Sequence, residues 1–414
     1  MARQGRDLIE VEIETLAYGG MGLGKFRGHT VFVPMTIPGE VVSARVTEQH
    51  ENHWVAEGVK LLDASADRVY AACPLPHCPR CVWQHIRYDV QPLLKQDILA
   101  DQLERVGHIR NPNVMGTIPA LEPWGYLHQV TYQVTAEGKL AIPSKTPRVI
   151  TSEDCGEIHP ELTALFDVLD LDLENVSKVK LQRGSAGEVT VILTMLTDSA
   201  PELELDFAAS VNLILPDNTP MNLIGDAHVR YDVNGQSLRV TAGSFYRANA
   251  GMVPTLVKQV MEMLAPASHE RVLDLYGGVG TFSAALAPRV SLVTYVESYP
   301  PAVTDADKNL ADFDNVDVLE GGVETGLDHL LAEGHTAQAA IVDPTSAGLR
   351  GPIIDQLRKI GVERLVYVSD DPSVLAKDAS RLSKAGYRLH SSTAIDLSPQ
   401  TAYVDSVSLF VRGS

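Results

Sequence analysis

The sequence predicts an α/β protein whose C-terminal part is a doubly wound parallel sheet, preceded by a small β-barrel and a β-rich middle region. Three observations carry this expectation. From Val272 onward, strand-length apolar runs alternate with helix-patterned segments, and the first pair is joined by the glycine loop of "VLDLYGGVGTF". Short alternating strands broken by Gly and Pro fill residues 8 to 62. Short alternating strands, turned by Gly-containing loops, also run from about Asn111 to Thr241. A chain of 414 residues is expected to form two or three domains, and these patterns divide it at 1–63, 64–243 and 244–414.

The elements follow in order. "LIEVEIETLAYGG" alternates apolar and polar residues, and the strands after it suit a five-stranded barrel of the OB type, a frame that often carries oligonucleotides. Its residues through Lys60 hold six Lys and Arg against eight Asp and Glu, so charge alone does not mark it as an RNA module. "QPLLKQDILADQLERVGHI" has helical apolar spacing, giving a helix over about 90–107 that is expected to pack on the C-terminal unit. The segments "YLHQVTYQVTAEGKLAIP", "VSKVKLQRGSAGEVTVILTML" and "HVRYDVNGQSLRVTAGSF" read as one antiparallel layer. A helix follows "GSFYRAN", then come the strands "VLDL", "SLVTYVES", "AAIVD" and "ERLVYVS".

Composition narrows the function classes. With 45% hydrophobic and 21% charged residues the chain is globular, and no apolar run reaches the roughly 18 residues of a membrane span. The N-terminus "MARQGRDLIEVEIE" has no apolar signal core, so a cytoplasmic protein without a membrane partner is expected, and separately a monomer. A formal charge of −19 excludes a protein coated in basic surface but is compatible with one local basic groove.

The four cysteines are placed for ligation. Cys73, Cys78 and Cys81 lie in "CPLPHCPRC" and Cys155 stands in "EDCGE". Clustered thiolates plus one distant partner can close around a single centre, and the spacing suits iron–sulfur or zinc. A disulfide is disfavoured in a cytosolic chain.

The glycine loop is a cofactor candidate. Gly277, Gly278 and Gly280 sit between strand and helix, where glycine lets the backbone approach a ligand. Asp274 ends the first strand, and Glu297 ends the next, where an acid can hold ribose hydroxyls. A dinucleotide would fit the glycines. The acid before the loop and the absence of a strict G-x-G-x-x-G favour the cationic methionine end of S-adenosylmethionine.

These residues then form a series along nearly the whole chain. "CPLPHCPRCVWQHIRYDVQPLLKQ", "GSFYRAN", "DLYGGVGTF", "VDPTSAGL", "VYVSDDPSVLAKD" and "DLSPQTAYVDSV" resemble, in order, the motifs of the TRAM-containing uracil-C5 RNA methyltransferases, which act on transfer and ribosomal RNA. The resemblance implies a TRAM barrel, a class I methyltransferase domain and a 4Fe–4S cluster on Cys73, Cys78, Cys81 and Cys155. It further implies an S-adenosylmethionine site that includes Arg247, Asp274, Tyr276, Gly278, Gly280, Glu297 and Asp343. Phe245 and Tyr246 are expected to stack on a flipped base of the RNA partner.

The departures concern the reaction centre. The family carries its nucleophilic cysteine after V-Y-V-S, and here that residue is Asp370. In the family the thiolate adds to uracil C6 so that C5 can attack the methyl group, and a carboxylate is a poor donor for that addition. All four thiols match cluster positions, so no spare one remains. The family's glutamate base matches Asp405, whose carboxylate falls about one bond, roughly 1.5 Å, shorter. Arg247 replaces a glutamine, Thr345 a proline, Ser346 an arginine and Tyr403 a histidine, and Gly322 stands where an acid often reaches the adenine. Asp370 and Asp405 therefore occupy the catalytic positions, both substituted. Two activities follow as expectations: methylation of an acceptor that needs no covalent activation, or binding of RNA and cofactor without turnover. Asp370 and Asp371 also read as helix-capping carboxylates before Pro372.

Overall fold

The computed structural model describes residues 8–73, 80–143, 148–149, 155–169, 173–201 and 208–413, so Cys78 lies outside the described residues. Five strands, Leu8–Leu16, Gly22–Phe26, His29–Val33, Val41–Gln49 and His53–Asp63, close into a barrel. Their alternate side chains, Ile9, Val11, Ile13, Val31, Val33, Val42, Ala44 and Ala56, fill it. The turn after the first strand leaves the barrel and docks on the rest of the molecule. Gly20, at φ +86°, is so close there that a Cβ would meet Ala402 at 2.6 Å and Trp83 Nε1 at 2.7 Å. Trp83 Nε1 donates to the Gly20 carbonyl at 3.3 Å.

Seven strands form the middle sheet, in the order Pro220–Ile224, Ser210–Ile214, Val189–Met195, Val176–Arg183, Gln129–Val134, Leu140–Ile142 and Arg148–Val149. Neighbours run antiparallel except Val189–Met195 and Ser210–Ile214, which are parallel. One face packs on the helix Pro160–Val168, burying Tyr132, Val179, Leu181, Val191, Leu193 and Cys155.

The C-terminal sheet has eight strands: Val316–Glu320, Leu292–Glu297, Arg271–Leu275, Ala339–Val342, Arg364–Ser369, Asp405–Arg412, Tyr387–Ile395 and Val114–Ile118. The first five are parallel, and Asp405–Arg412 runs antiparallel to both of its neighbours. Ala339–Val342 is buried along its length, as a strand covered on both faces must be. Asp274, Glu297, Asp343 and Asp370 all fall at or just past the carboxyl ends of the parallel strands, and the reversed strand brings Asp405 to the same edge.

Two segments grouped with the middle region in the sequence lie elsewhere. Val114–Ile118 pairs in parallel with Tyr387–Ile395 as the edge of the C-terminal sheet. The hairpin His228–Val233 and Gln236–Thr241 forms its own two-stranded sheet. It buries Val229, Tyr231, Leu238 and Val240 in the same core as the helix Val253–Leu264. Period-2 alternation identifies a strand but not its partner, so one antiparallel layer was too simple a reading.

The helix Gln91–Arg105 packs Ile98, Leu99 and Leu103 into the C-terminal core beside Leu375 and Ala379 of the helix Pro372–Lys384. It also carries Lys95, whose buried ammonium donates to Asp396 Oδ1 at 2.6 Å and to the Ser398 carbonyl at 2.8 Å. These bonds fix the loop that leads to Asp405. Among the described residues no helix is long and apolar enough to cross a membrane.

Candidate active site

Backbone geometry builds the first half of the site. After strand Arg271–Leu275 the chain turns through positive φ at Tyr276 (60°), Gly278 (54°) and Gly280 (84°) before the helix Thr281–Leu286. Gly277 lies flat on Tyr295, where a Cβ would come within 2.3 Å of the ring. Glu297 accepts from the Gly278 amide on Oε2 at 3.1 Å, and from the Ser298 and Tyr299 amides on Oε1 at 2.6 and 2.8 Å.

Asp274 is buried. Ser283 Oγ donates to its Oδ2 at 2.6 Å, while Oδ1 has no hydrogen-bond partner among the described residues. Burial pushes its pKa up to about 7 despite the Ser283 bonds. An orphaned carboxylate oxygen under a glycine loop suits a cationic ligand group, because the ligand would supply the missing donor. Tyr276, Glu297, Ser298, Gly322 and Arg350 line a cleft of about 450 Å³ beside it. Tyr276 is shared with a small cavity of about 50 Å³, which Gly278, Asp343, Arg247 and Phe245 also line.

Phe245, Tyr246 and Arg247 are shared in turn with a second pocket of about 370 Å³, which has Asp370, Asp405, Ser346 and Asn249 among its walls. Arg247 Nη2 donates to both oxygens of Asp343, at 2.8 and 2.7 Å, and Nη1 stands 3.7 Å from Asp405 Oδ1. Burial pushes the Asp405 carboxyl up to about 7, with Arg247 and Lys95 opposing the rise and the negative charges of Asp370 and Asp396 adding to it. Burial also raises Asp343, against the pull of Arg247. Arg247 thus lies on the boundary of the two halves, already paired.

The two adjacent aspartates have separate roles. Asp371 is the N-cap of Pro372–Lys384 and accepts from the Ser373 amide at 2.7 Å and the Val374 amide at 3.2 Å. Burial would raise its pKa, but hydrogen bonds from Ser373 and Tyr18 hold it below the usual range. Tyr18, from the docked barrel turn, is pushed up to about 12 by burial and by its bond to Asp371. Asp370 does not cap the helix and is exposed on the pocket.

The aromatic pair also divides. Phe245 is 65% exposed at the pocket rim, with the Arg247 guanidinium 5.8 Å from its ring centre. Tyr246 does not share that role: it is 4% exposed, and its ring stacks on Tyr231 at 4.1 Å with a 6° interplanar angle. The hairpin that left the middle sheet supplies Tyr231, so Tyr246 is a core residue. Tyr18 and Tyr403, 39% and 62% exposed, complete an aromatic rim that motif reading passed over. Lys95 was missed too, although a lysine among the apolar positions of a helix is a visible signal of a buried partner.

At the cysteine segment, Cys81 and Cys155 are buried and Cys73 is half-buried, its amide donating to Gln84 Oε1 at 2.9 Å. Arg80 Nε donates to Glu157 Oε2 at 3.1 Å, and Tyr126 Oη donates to Glu157 Oε1 at 2.7 Å. Burial disfavours the Arg80 charge, but Glu157 and Cys155 more than restore it. Among the described residues no three or more His, Cys, Asp or Glu side chains assemble as a metal site.

Comparison with known proteins agrees with this architecture. A TRAM domain model matches residues 3–61, and the tRNA (Uracil-5-)-methyltransferase model matches residues 226–412. An uncharacterized RNA methyltransferase of Streptomyces avermitilis is 33% identical, over 97% of each chain. The 23S rRNA (uracil(1939)-C(5))-methyltransferase RlmD of Shewanella sediminis is 30% identical, over 97% of this chain and 95% of the other. The crystal structure of Pyrococcus abyssi tRNA (uracil-54, C5)-methyltransferase in complex with S-adenosyl-L-homocysteine shares the fold. It superposes with a TM-score of 0.72 at 22% identity, covering 97% of this chain and 100% of that one. With its barrel, its glycine-loop cleft and this full-length similarity, the chain belongs to the TRAM-containing uracil-C5 RNA methyltransferase family.

Proposed function

We propose that the protein binds S-adenosylmethionine in the glycine-loop cleft and methylates a tRNA or rRNA nucleotide held in the adjoining pocket. The observation that carries this reading is that Tyr276 and Arg247 are both walls of one small cavity between a cleft suited to a cation and a pocket rimmed by exposed aromatics. Asp274, Tyr276, Gly278, Gly280 and Glu297 would hold the cofactor, which supplies an electrophilic methyl group when bound.

Asp370 stands at the family's nucleophile position and cannot readily open a uracil for attack from C5. An acceptor that already has a lone pair, a ring nitrogen or a hydroxyl, needs no such step. Asp405 would take the proton the acceptor releases, and a carboxyl with a pKa of about 7 is matched to that task. Arg247 pairs with Asp343 and stands 3.7 Å from Asp405. Phe245, Tyr18 and Tyr403 would stack on unpaired bases at the rim.

Incubation with tritiated S-adenosylmethionine and total RNA, followed by nucleoside mass spectrometry, tests the reading. Label is expected in a nucleoside other than 5-methyluridine. No incorporation into either tRNA or rRNA overturns it. Asp370→Cys is expected to gain 5-methyluridine if the remaining site still supports the family reaction. A second reading, binding without turnover, is favoured by the engagement of Arg247 with both Asp343 and Asp405. It requires retained cofactor and RNA affinity with no label transferred.

For the cysteines we propose a 4Fe–4S cluster on Cys73, Cys78, Cys81 and Cys155. The support is the soft donor set, the burial of Cys81 and Cys155, and the half-buried cation of Arg80, whose charge Cys155 favours. Its role would be structural. Protein purified without oxygen should show broad visible absorbance with iron and sulfide in equal amounts, and zinc alone would refute the assignment.

A further inference from the structure

The acceptor pocket does not end at Tyr403. Gln129, Ala248, Ser398 and Tyr403 are shared with a second groove of about 420 Å³, which runs on past Thr131 and Lys180. The floor of this groove is the middle sheet, on the face opposite its apolar core. Val130, Tyr132, Val179 and Leu181 point into that core, so by alternation Thr131, Gln133, Lys178 and Lys180 share the other face. Lys180 lies directly across from Thr131, and Lys178 from Gln133.

The sheet also has an unusual charge pattern. The whole chain has 53 Asp and Glu against 34 Lys and Arg, yet none of the seven strands of this sheet contains an acidic residue. Lys180 is half-buried and makes no ion pair or side-chain hydrogen bond among the described residues. Burial alone pulls its pKa down to about 8. The other cation of the groove, Arg80, is engaged by Glu157. A desolvated amine with no partner among the described residues, on strands that carry no acid, is complementary to an anion.

We propose that this face binds the sugar–phosphate backbone of the RNA strand flanking the target nucleotide, with Lys180 and Lys178 contacting phosphates and Thr131 and Gln133 contacting sugars or phosphate oxygens. The inference rests on the reading of the protein as an RNA methyltransferase. Continuity with the acceptor pocket places the bound strand one step from the reaction centre, with Tyr403 on the wall between. The net-acidic protein then gains RNA affinity from one local surface, and the acidic remainder repels strands in other registers.

The test uses the full-length protein and a fluorescein-labelled 20-nucleotide oligouridine, read by anisotropy across a salt series. Each phosphate contact to a single strand adds about 0.7 to the slope of log affinity against log salt, so Lys178→Gln/Lys180→Gln should reduce that slope by about 1.4. Affinity at low salt should fall about 10-fold or more by the same counterion arithmetic, and S-adenosylmethionine affinity should not change. The Arg double variant should retain the slope. Lys258→Gln, on the exposed face of Val253–Leu264 and paired with Glu262, should bind like wild type. An unchanged slope in the Gln double variant, or an equal loss in Lys258→Gln, overturns the assignment of this face. A wild-type protein that binds neither oligouridine nor total tRNA overturns the RNA reading itself.

Discussion

The cofactor cleft and the acceptor pocket flank one small cavity walled by Tyr276, Asp343 and Arg247, yet they are built from different material. Backbone makes the cleft: positive φ at Tyr276, Gly278 and Gly280, a glycine pressed on Tyr295, and peptide amides aimed at Glu297. The pocket is made by side chains from distant segments, with Asp370 and Asp405 on its walls and Arg247 paired with both Asp343 and Asp405. Altering the cleft means altering the strand–turn–helix unit, whereas pocket side chains can change without moving a strand. The half built from backbone is accordingly the half that keeps the family pattern, and the half built from side chains is the one that departs from it.

The largest expected effect tests the pocket. Asp405→Asn should lower the rate of methyl transfer by about 100-fold or more, the usual contribution of a positioned base. In the wild type the rate should fall as pH drops below about 7, as Asp405 takes up its proton, and the variant should lose that dependence. Stability responds with the opposite sign. Folded Asp405 binds its proton more tightly than the unfolded chain, so its contribution is complete below pH 3.8 and is lost as pH rises through about 7. Arg247→Gln comes next, since it leaves Asp343 and Asp405 buried without their cation. A loss of about 3 kcal/mol in urea unfolding is expected, larger at pH 8 than at pH 6.

Cleft and rim should respond differently. Gly277→Ala forces a Cβ against Tyr295 and should cost about 2 kcal/mol of stability, with weakened S-adenosylmethionine binding by calorimetry. Phe245→Ala should leave cofactor binding intact and weaken RNA by about 1–2 kcal/mol, the scale of one stacked base. If Phe245→Ala instead weakened the cofactor alone, the two halves would not be separable. The smallest effect is Asp371→Ala, which removes an N-cap and the Tyr18 contact for about 1 kcal/mol. A much larger loss of activity than of stability there would mean that the barrel turn positions the acceptor loop.

The legible parts of the molecule share a physical basis. The single strands of the barrel, the glycine loop and the helix start at Asp371 and Pro372 are local: each is written in residues a few positions apart. Asp274, Glu297, Asp343 and Asp370 could be ordered along one sheet edge because strands alternate with helices and their carboxyl ends gather ligands. Tyr246 was misassigned because its stacking partner Tyr231 arrives on a hairpin whose destination no local pattern records.

The sequence by itself determined the α/β class, the glycine-loop cleft and the replacement of the expected thiol by Asp370. These follow from residue identity and short-range spacing, which need no knowledge of packing. Only the tertiary structure decided that Asp371 caps while Asp370 faces the pocket, that Val114–Ile118 completes the C-terminal sheet, and that Arg247 is held by Asp343 near Asp405. The same is true of Lys95 and Lys180. One lysine is buried against Asp396 and the other has no acidic partner among the described residues, although both are lysines in ordinary amphipathic segments. Burial and pairing are properties of the assembled neighbourhood, and long-range contacts alone supply them.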